Sequence, residues 1–189
     1  MPNWTYNNVD ITATTEEHKD LLERVSRAEA ADGFFGMFLP LPEILRDSVS
    51  PTPDNIDSVQ RNVMIAQTGH TNWYDWCVAN WGTKWDVEVT DCEYDGDTLS
   101  VSFDSAWSPP IAFYEYLKAQ GFEVSANYYE PGLDFAGEWT DGDDFYLEEV
   151  SDLARQDKDT LFRLDKREYD ILEQWGIFES VAEMDAETE

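Results

Sequence analysis

The sequence is poor in the residues that most often announce chemistry. Of 189 residues, only Cys77 and Cys92 are cysteine and only His18 and His70 are histidine. That is too few for a disulfide framework or a cysteine-built zinc site, and neither Cys77 nor Ser108 has a histidine-bearing partner motif that would make it a nucleophile. Both thiols are expected to be reduced, and no metal or other cofactor is expected. Cations are scarce as well: 12 Lys and Arg face 41 Asp and Glu, a formal charge of −29. Direct binding to nucleic acid is excluded by that balance, because it rests on cations that displace condensed counterions from phosphate. A partner selected by charge would be basic. No apolar run approaches the roughly 20 residues of a membrane span. The start Met1-Pro2-Asn3-Trp4 also lacks the basic and apolar regions of a signal peptide, so the chain reads as soluble and cytoplasmic.

Aromatic and aliphatic mass, by contrast, is abundant. With 8 Trp, 9 Tyr and 10 Phe inside a hydrophobic fraction of 42%, the chain can bury enough surface to offset the entropy of ordering, which excludes wholesale disorder. The length suits one principal core. Residues 4–12 read as a strand in which Trp4, Tyr6, Val9 and Ile11 give a partly broken alternation. Thr14 and Glu17 then form a capping-box pattern ahead of a helix with His18, Leu21, Leu22, Val25 and Ala28 on one stripe. Residues 33–42 are apolar but punctuated by Gly and Pro, and read as a buried connection. Residues 47–62, with Pro51, Pro53, Asp54 and Asn55, read as a mobile loop, and 72–80 as a short Trp-rich helix.

From Lys84 the period changes to two. Trp85, Val87 and Val89 alternate with Asp86, Glu88 and Thr90; past the turn Asp95-Gly96, Leu99, Val101 and Phe103 alternate with Ser100, Ser102 and Asp104, which predicts a hairpin. Ser108-Pro109-Pro110 supplies a cap and a first-turn proline for a helix that Gly121 ends. Strand patterns follow around Val124 and from Leu133 to Trp139, and Asp141-Gly142 turns the chain into Phe145 and Leu147. The order strand, helix, hairpin, helix, strands predicts an α+β fold. Its centre would be a ferredoxin-like antiparallel sheet with helices on one face over residues 1–150, and a loop insertion near 43–70. Residues 151–189 read as an acidic, mainly helical extension with a frayed end. Leu161, Phe162, Leu164, Leu172, Trp175, Ile177 and Phe178 make it too apolar to be a free tail.

Several segments resemble a known family. Met1-Pro2-Asn3-Trp4 with Asn7, Phe38-Leu39-Pro40-Leu41-Pro42, the hexad Trp81-Gly82-Thr83-Lys84-Trp85-Asp86, Ala106-Trp107-Ser108-Pro109-Pro110, and Tyr129-Glu130-Pro131-Gly132 with Phe135-Ala136-Gly137 are similar to the YubB-like proteins of bacteriophages and plasmids. They cover about residues 1–150, in the family's order. The resemblance implies a ferredoxin-like domain of mobile-element origin. It supplies no established activity and no catalytic residues.

Two functional readings follow. In the first, the chain is a non-catalytic phage or plasmid protein that binds and inhibits a basic host defence or DNA-processing protein, imitating the charge of a nucleic-acid backbone. Its surface would consist of Asp86, Glu88, Asp104, Glu123 and Glu138 on the outward sheet face, continuing through Asp141, Asp143, Asp144, Glu148 and Glu149. In the second, acidity serves only solubility or high salt. The hexad then forms a small-ligand or enzyme site in which Trp81 and Trp85 wall a pocket, Lys84 contacts an anion and Asp86 acts as acid, base or orienting group. Asp141, Asp143 and Asp144 around Gly142 fall short of the ligand spacing of a calcium loop, so no metal is assigned there.

Overall fold

In the computed structural model, which describes residues 3–28, 33–155 and 164–188, one antiparallel sheet organises the chain. Its strands are β1 (Trp4–Thr12), β2 (Val89–Tyr94), β3 (Thr98–Ala106), β4 (Glu123–Glu130), β5 (Phe135–Thr140) and β6 (Asp143–Glu148). They lie in the order β2-β3-β1-β4-β5-β6, every neighbouring pair antiparallel. Between the first two strands the described residues form the helices α1 (Glu16–Arg27), α2 (Phe34–Phe38), α3 (Glu43–Arg46), α4 (Ser58–Thr68) and α5 (Trp73–Trp81). Then α6 (Ile111–Ala119) joins β3 to β4, and α7 (Val150–Arg155), α8 (Lys166–Gln174) and α9 (Ile177–Thr188) follow the sheet. Among the described residues no helix is long and apolar enough to cross a membrane.

The first strand corrects the sequence pattern. Thr5, Asn7, Val9 and Ile11 point inward, whereas Trp4 and Tyr6 stand outward. Asn7 can occupy the buried face because a network satisfies it: its Nδ2 donates to the Thr5 carbonyl at 2.8 Å and to Ser105 Oγ at 2.9 Å, and Tyr114 Oη donates to its Oδ1 at 3.1 Å, whereas the buried Thr5 hydroxyl has no partner among the described residues. Against this face pack Leu22 and Val25 of α1, Phe34 and Phe35 of α2, Met64 of α4, Trp76 and Trp81 of α5, and Phe113 and Leu117 of α6. The expected connection at 33–42 thus contains a helical turn. Of the expected 47–62 loop, residues 47–57 lie outside helices and strands, and 58–62 instead open α4, which Asp57 caps by accepting the amides of Val59 and Gln60.

The helices do not stay on one face. Ala136 and Leu147, directly opposite each other on β5 and β6, face away from the first core and pack with Val150, Ile171, Leu172, Ile177 and Val181. The C-terminal helices therefore cover the other side of the sheet at its β5–β6 end. Asp134 anchors the entry to α7 by accepting the Ser151 amide and hydroxyl, and Asp165 and Glu168 close a capping box on α8. Leu164, Leu172, Trp175, Ile177 and Phe178 all belong to this second core; Leu161 and Phe162 lie outside the described residues.

Candidate functional site

The C-terminal helices cover the β5–β6 end and reach β4, where Trp175 packs on Tyr129, so among the described residues the outward face of β2, β3 and β1 and the Glu123 end of β4 stays open. None of the six strands contains Lys or Arg. Strand register builds cross-strand rows on the open face: Glu93, Ser100, Asp10 and Ser125 in one, Asp91, Ser102, Asn8 and Asn127 in the next. Ser100 Oγ donates to Asp10 Oδ1 at 2.6 Å, and Ser102 Oγ pairs with Asn8 Oδ1 at 2.7 Å, so the hydroxyls orient the acceptors between them. Asp104 and Glu123 belong to the same face, Asp104 opposite Tyr6 and Glu123 opposite Thr12. Partial burial raises the Asp104 carboxyl above the ordinary carboxylate range.

Of the ten acidic residues singled out from the sequence, Asp104 and Glu123 sit on this open face and the structure scatters the rest. Glu138 projects on the helix-covered part, where Arg167 of α8 pairs with it and, at 2.8 Å, with Asp143, while the guanidinium lies 4.3 Å over the Phe145 ring. Asp144 accepts the Tyr128 hydroxyl at 2.6 Å. Asp141 accepts the Val124 amide at 3.1 Å and its carbonyl accepts from Lys118, so it serves the β5–β6 turn. Glu88 is exposed ahead of β2, and Glu148 and Glu149 are exposed at the end of β6. Asp86 points inward. Its carboxylate accepts the amides of Phe35 at 2.7 Å, Gly36 at 2.8 Å and Val87 at 2.8 Å. Burial pushes its carboxyl up, and these three hydrogen bonds pull the other way.

Sequence reasoning missed Asp10, Asp91 and Glu93. Asn8, Asp10 and Thr12 alternate with Val9 and Ile11, a signal that was present in β1. In β2 the signal is hidden: residues 85–88 lie outside the strand, and an irregularity between Val89 and Asp91 shifts the register.

The hexad adjoins one end of the sheet, where the Trp85 ring lies 6.4 Å from that of outward-facing Trp4. Gly82, at φ 84°, closes α5, and a Cβ there would come within 3.0 Å of the Ile111 amide nitrogen. Ser108 does not cap α6; its hydroxyl donates to the Gly82 carbonyl at 3.2 Å, and Thr83 donates to the Ala106 carbonyl at 3.2 Å. Trp81 is buried with its indole N–H on the Leu39 carbonyl, whereas Trp85 is 42% exposed instead of facing the core. The Lys84 ammonium is held between two indoles, 3.7 Å from the Trp85 ring centroid and 3.8 Å from that of Trp107.

No family model and no curated protein matches the chain. Among solved structures, the crystal structure of a protein api92 from Yersinia pseudotuberculosis is similar at 13% identity, covering 78% of this chain and 98% of that one with a TM-score of 0.38. That likeness is too distant to carry fold or function to this chain.

Proposed function

We propose that this chain is a non-catalytic binding module that docks on a basic protein through the open acidic face of its sheet. The resemblance of residues 1–150 to YubB-like proteins favours a phage or plasmid protein acting in the host cytoplasm. Its target would be a defence or DNA-processing protein, whose nucleic-acid channel is basic. The strand order β2-β3-β1-β4, with helices crossing between β1 and β2 and between β3 and β4, supports the ferredoxin-like reading of the first four strands. In that reading β5 and β6 widen the sheet.

The cation-free strand face is the observation that carries the reading. Asp10, Asp91, Glu93, Asp104 and Glu123 share one side of four adjacent strands. Strand rise and spacing set neighbouring carboxylates such as Asp91 and Glu93, or Glu93 and Asp10, on the order of 7–10 Å apart. A lattice of that pitch can meet several Lys and Arg of one partner at once. RNA-binding sheets of similar layout need aromatics with cations on this surface, and no cation is available on these strands.

The test is capture from a bacterial lysate on the immobilised intact protein, followed by titration of the retained partner over about 0.05–0.3 M salt. The expected partner is a basic nucleic-acid-handling or defence protein whose affinity falls steeply with salt and which duplex DNA displaces. Combined Asp10→Lys, Asp91→Lys and Glu93→Lys should abolish the capture. Retention of no such protein, or binding indifferent to the triple reversal, returns the acidity to a role in solubility.

A further inference from the structure

The hexad borders an open cavity of about 390 Å³ whose lining includes Arg46, Trp73, Trp81, Lys84, Trp85 and Asp86. That volume falls within the roughly 300–1,000 Å³ of small-molecule sites. Trp73, Trp81 and Trp85 line it together with Pro40 and Leu41, and its charged groups are not equally free. Asp86 spends its oxygens on three backbone amides. Among the described residues Arg46 pairs with Glu43 alone, at 3.0 Å with both side chains well exposed, which is weak and readily exchanged. Lys84 has no carboxylate partner among the described residues, in a chain where acids outnumber cations 41 to 12.

The Lys84 ammonium lies between the Trp85 and Trp107 rings, which are 42% and 46% exposed, so it stays within reach of solvent beside the cavity.

We propose that this cavity binds a small organic anion carrying a flat ring, with the ring against Trp73, Trp81 and Trp85 and its phosphate or carboxylate on Lys84 and Arg46. Guanidinium and ammonium together suit an oxyanion, and the indole faces suit a planar heterocycle or arene. Three backbone amides stabilise the Asp86 carboxylate, and Lys84 and Arg46 are the two cations of the lining left to meet the anion. Asp10, Asp91 and Glu93, on which the protein-partner proposal is tested, do not line this cavity.

Quenching of tryptophan fluorescence and calorimetry on the intact chain test it. The probes are AMP and 4-hydroxybenzoate, with adenosine and inorganic phosphate as half-ligands. The expected result is saturable binding of AMP or 4-hydroxybenzoate, at least tenfold tighter than either half-ligand. Lys84→Met should weaken it at least tenfold and Lys84→Arg should retain it, while the melting curves show that both variants are folded. Arg46→Gln, at an exposed position where folding is not at risk, should weaken it severalfold. Absence of saturable binding by both complete probes overturns the site, as does binding that Lys84→Met and Arg46→Gln leave unchanged. Capture of a basic protein through the sheet should survive Lys84→Met, so failure of one proposal is distinguishable from failure of the other.

Discussion

The Asp86 carboxylate accepts the Phe35 amide at 2.7 Å across 51 residues of sequence. With the amides of Gly36 and Val87 it ties the short helix α2 to the loop that carries the hexad. The glycine before the helix makes the approach possible: Gly33 has φ 76°, and a Cβ on it would fall on the Asp86 carboxyl group.

Asp86→Ala should therefore destabilise the protein by about 2–4 kcal/mol, since hydrogen bonds to a charged acceptor contribute about 1.5–3 kcal/mol each and water recovers part of the loss. Gly33→Ala should be comparably damaging. Gly69→Ala is the control. It shares a left-handed backbone, φ 78°, but a Cβ there would meet nothing within 4 Å, so its cost should stay near the roughly 1 kcal/mol of the conformation alone. In urea denaturation the Gly33→Ala and Asp86→Ala double variant should lose clearly less than the sum of the singles, because removing the carboxylate removes the two closest of the three clashing atoms. Additive losses would refute the coupling.

Arg167 holds the C-terminal helices to the sheet through Glu138, Asp143 and the Phe145 ring. The group is part-exposed, so Arg167→Ala should cost only about 1 kcal/mol in global stability. Its local signature should be larger. Hydrogen exchange in 164–188 should accelerate severalfold while β1 and β3 are unaffected, because the two apolar cores lie on opposite faces. Equal acceleration in both would show that the cores do not open separately.

The two thiols should behave differently. Cys77 is 2% exposed, and burial, assisted by the charge of Asp86, pushes its thiol from 9.0 up to about 12. Cys92 lies exposed on edge strand β2, and its thiol is raised as well, by partial desolvation and by Asp91. In an Ellman titration at pH 8, one thiol should react in the native protein, and Cys92→Ser should remove that reaction. The second thiol should react only after unfolding. The native state keeps the Cys77 proton that the unfolded chain releases, so this contribution to stability is whole below about pH 9 and is lost as pH rises toward 12. The cost of Cys77→Ala should accordingly shrink between pH 8 and 10.5, by no more than about 1.4 kcal/mol per pH unit.

Carboxylates gathered on a cation-free face repel one another. The Asp10→Lys, Asp91→Lys and Glu93→Lys triple variant should melt higher than the parent at low ionic strength, and the gain should fade above about 0.5 M salt, where the Debye length is a few ångströms. A lower melting temperature at low salt would mean that these side chains hold the fold together.

Much of this architecture was already legible in local patterns. Asp95-Gly96 and Asp141-Gly142 demand turns, Asp165 with Glu168 demands a helix start, and alternation from Leu99 to Phe103 demands a half-buried strand; each depends on neighbours in sequence, so each can be read there. The charge of −29 and the scarcity of Cys and His likewise belong to composition alone. Tertiary structure decided the rest. That Asp86 is turned inward, that Glu138 and Asp143 answer Arg167, and that Asp10, Asp91 and Glu93 form the open face all depend on register and on which helix lies over which strand. Carboxylates carry no mark of their partners in sequence. A shift of one residue in β2 exchanges the exposed set for the buried one, and a helix from the far end of the chain decides which half of the sheet meets solvent.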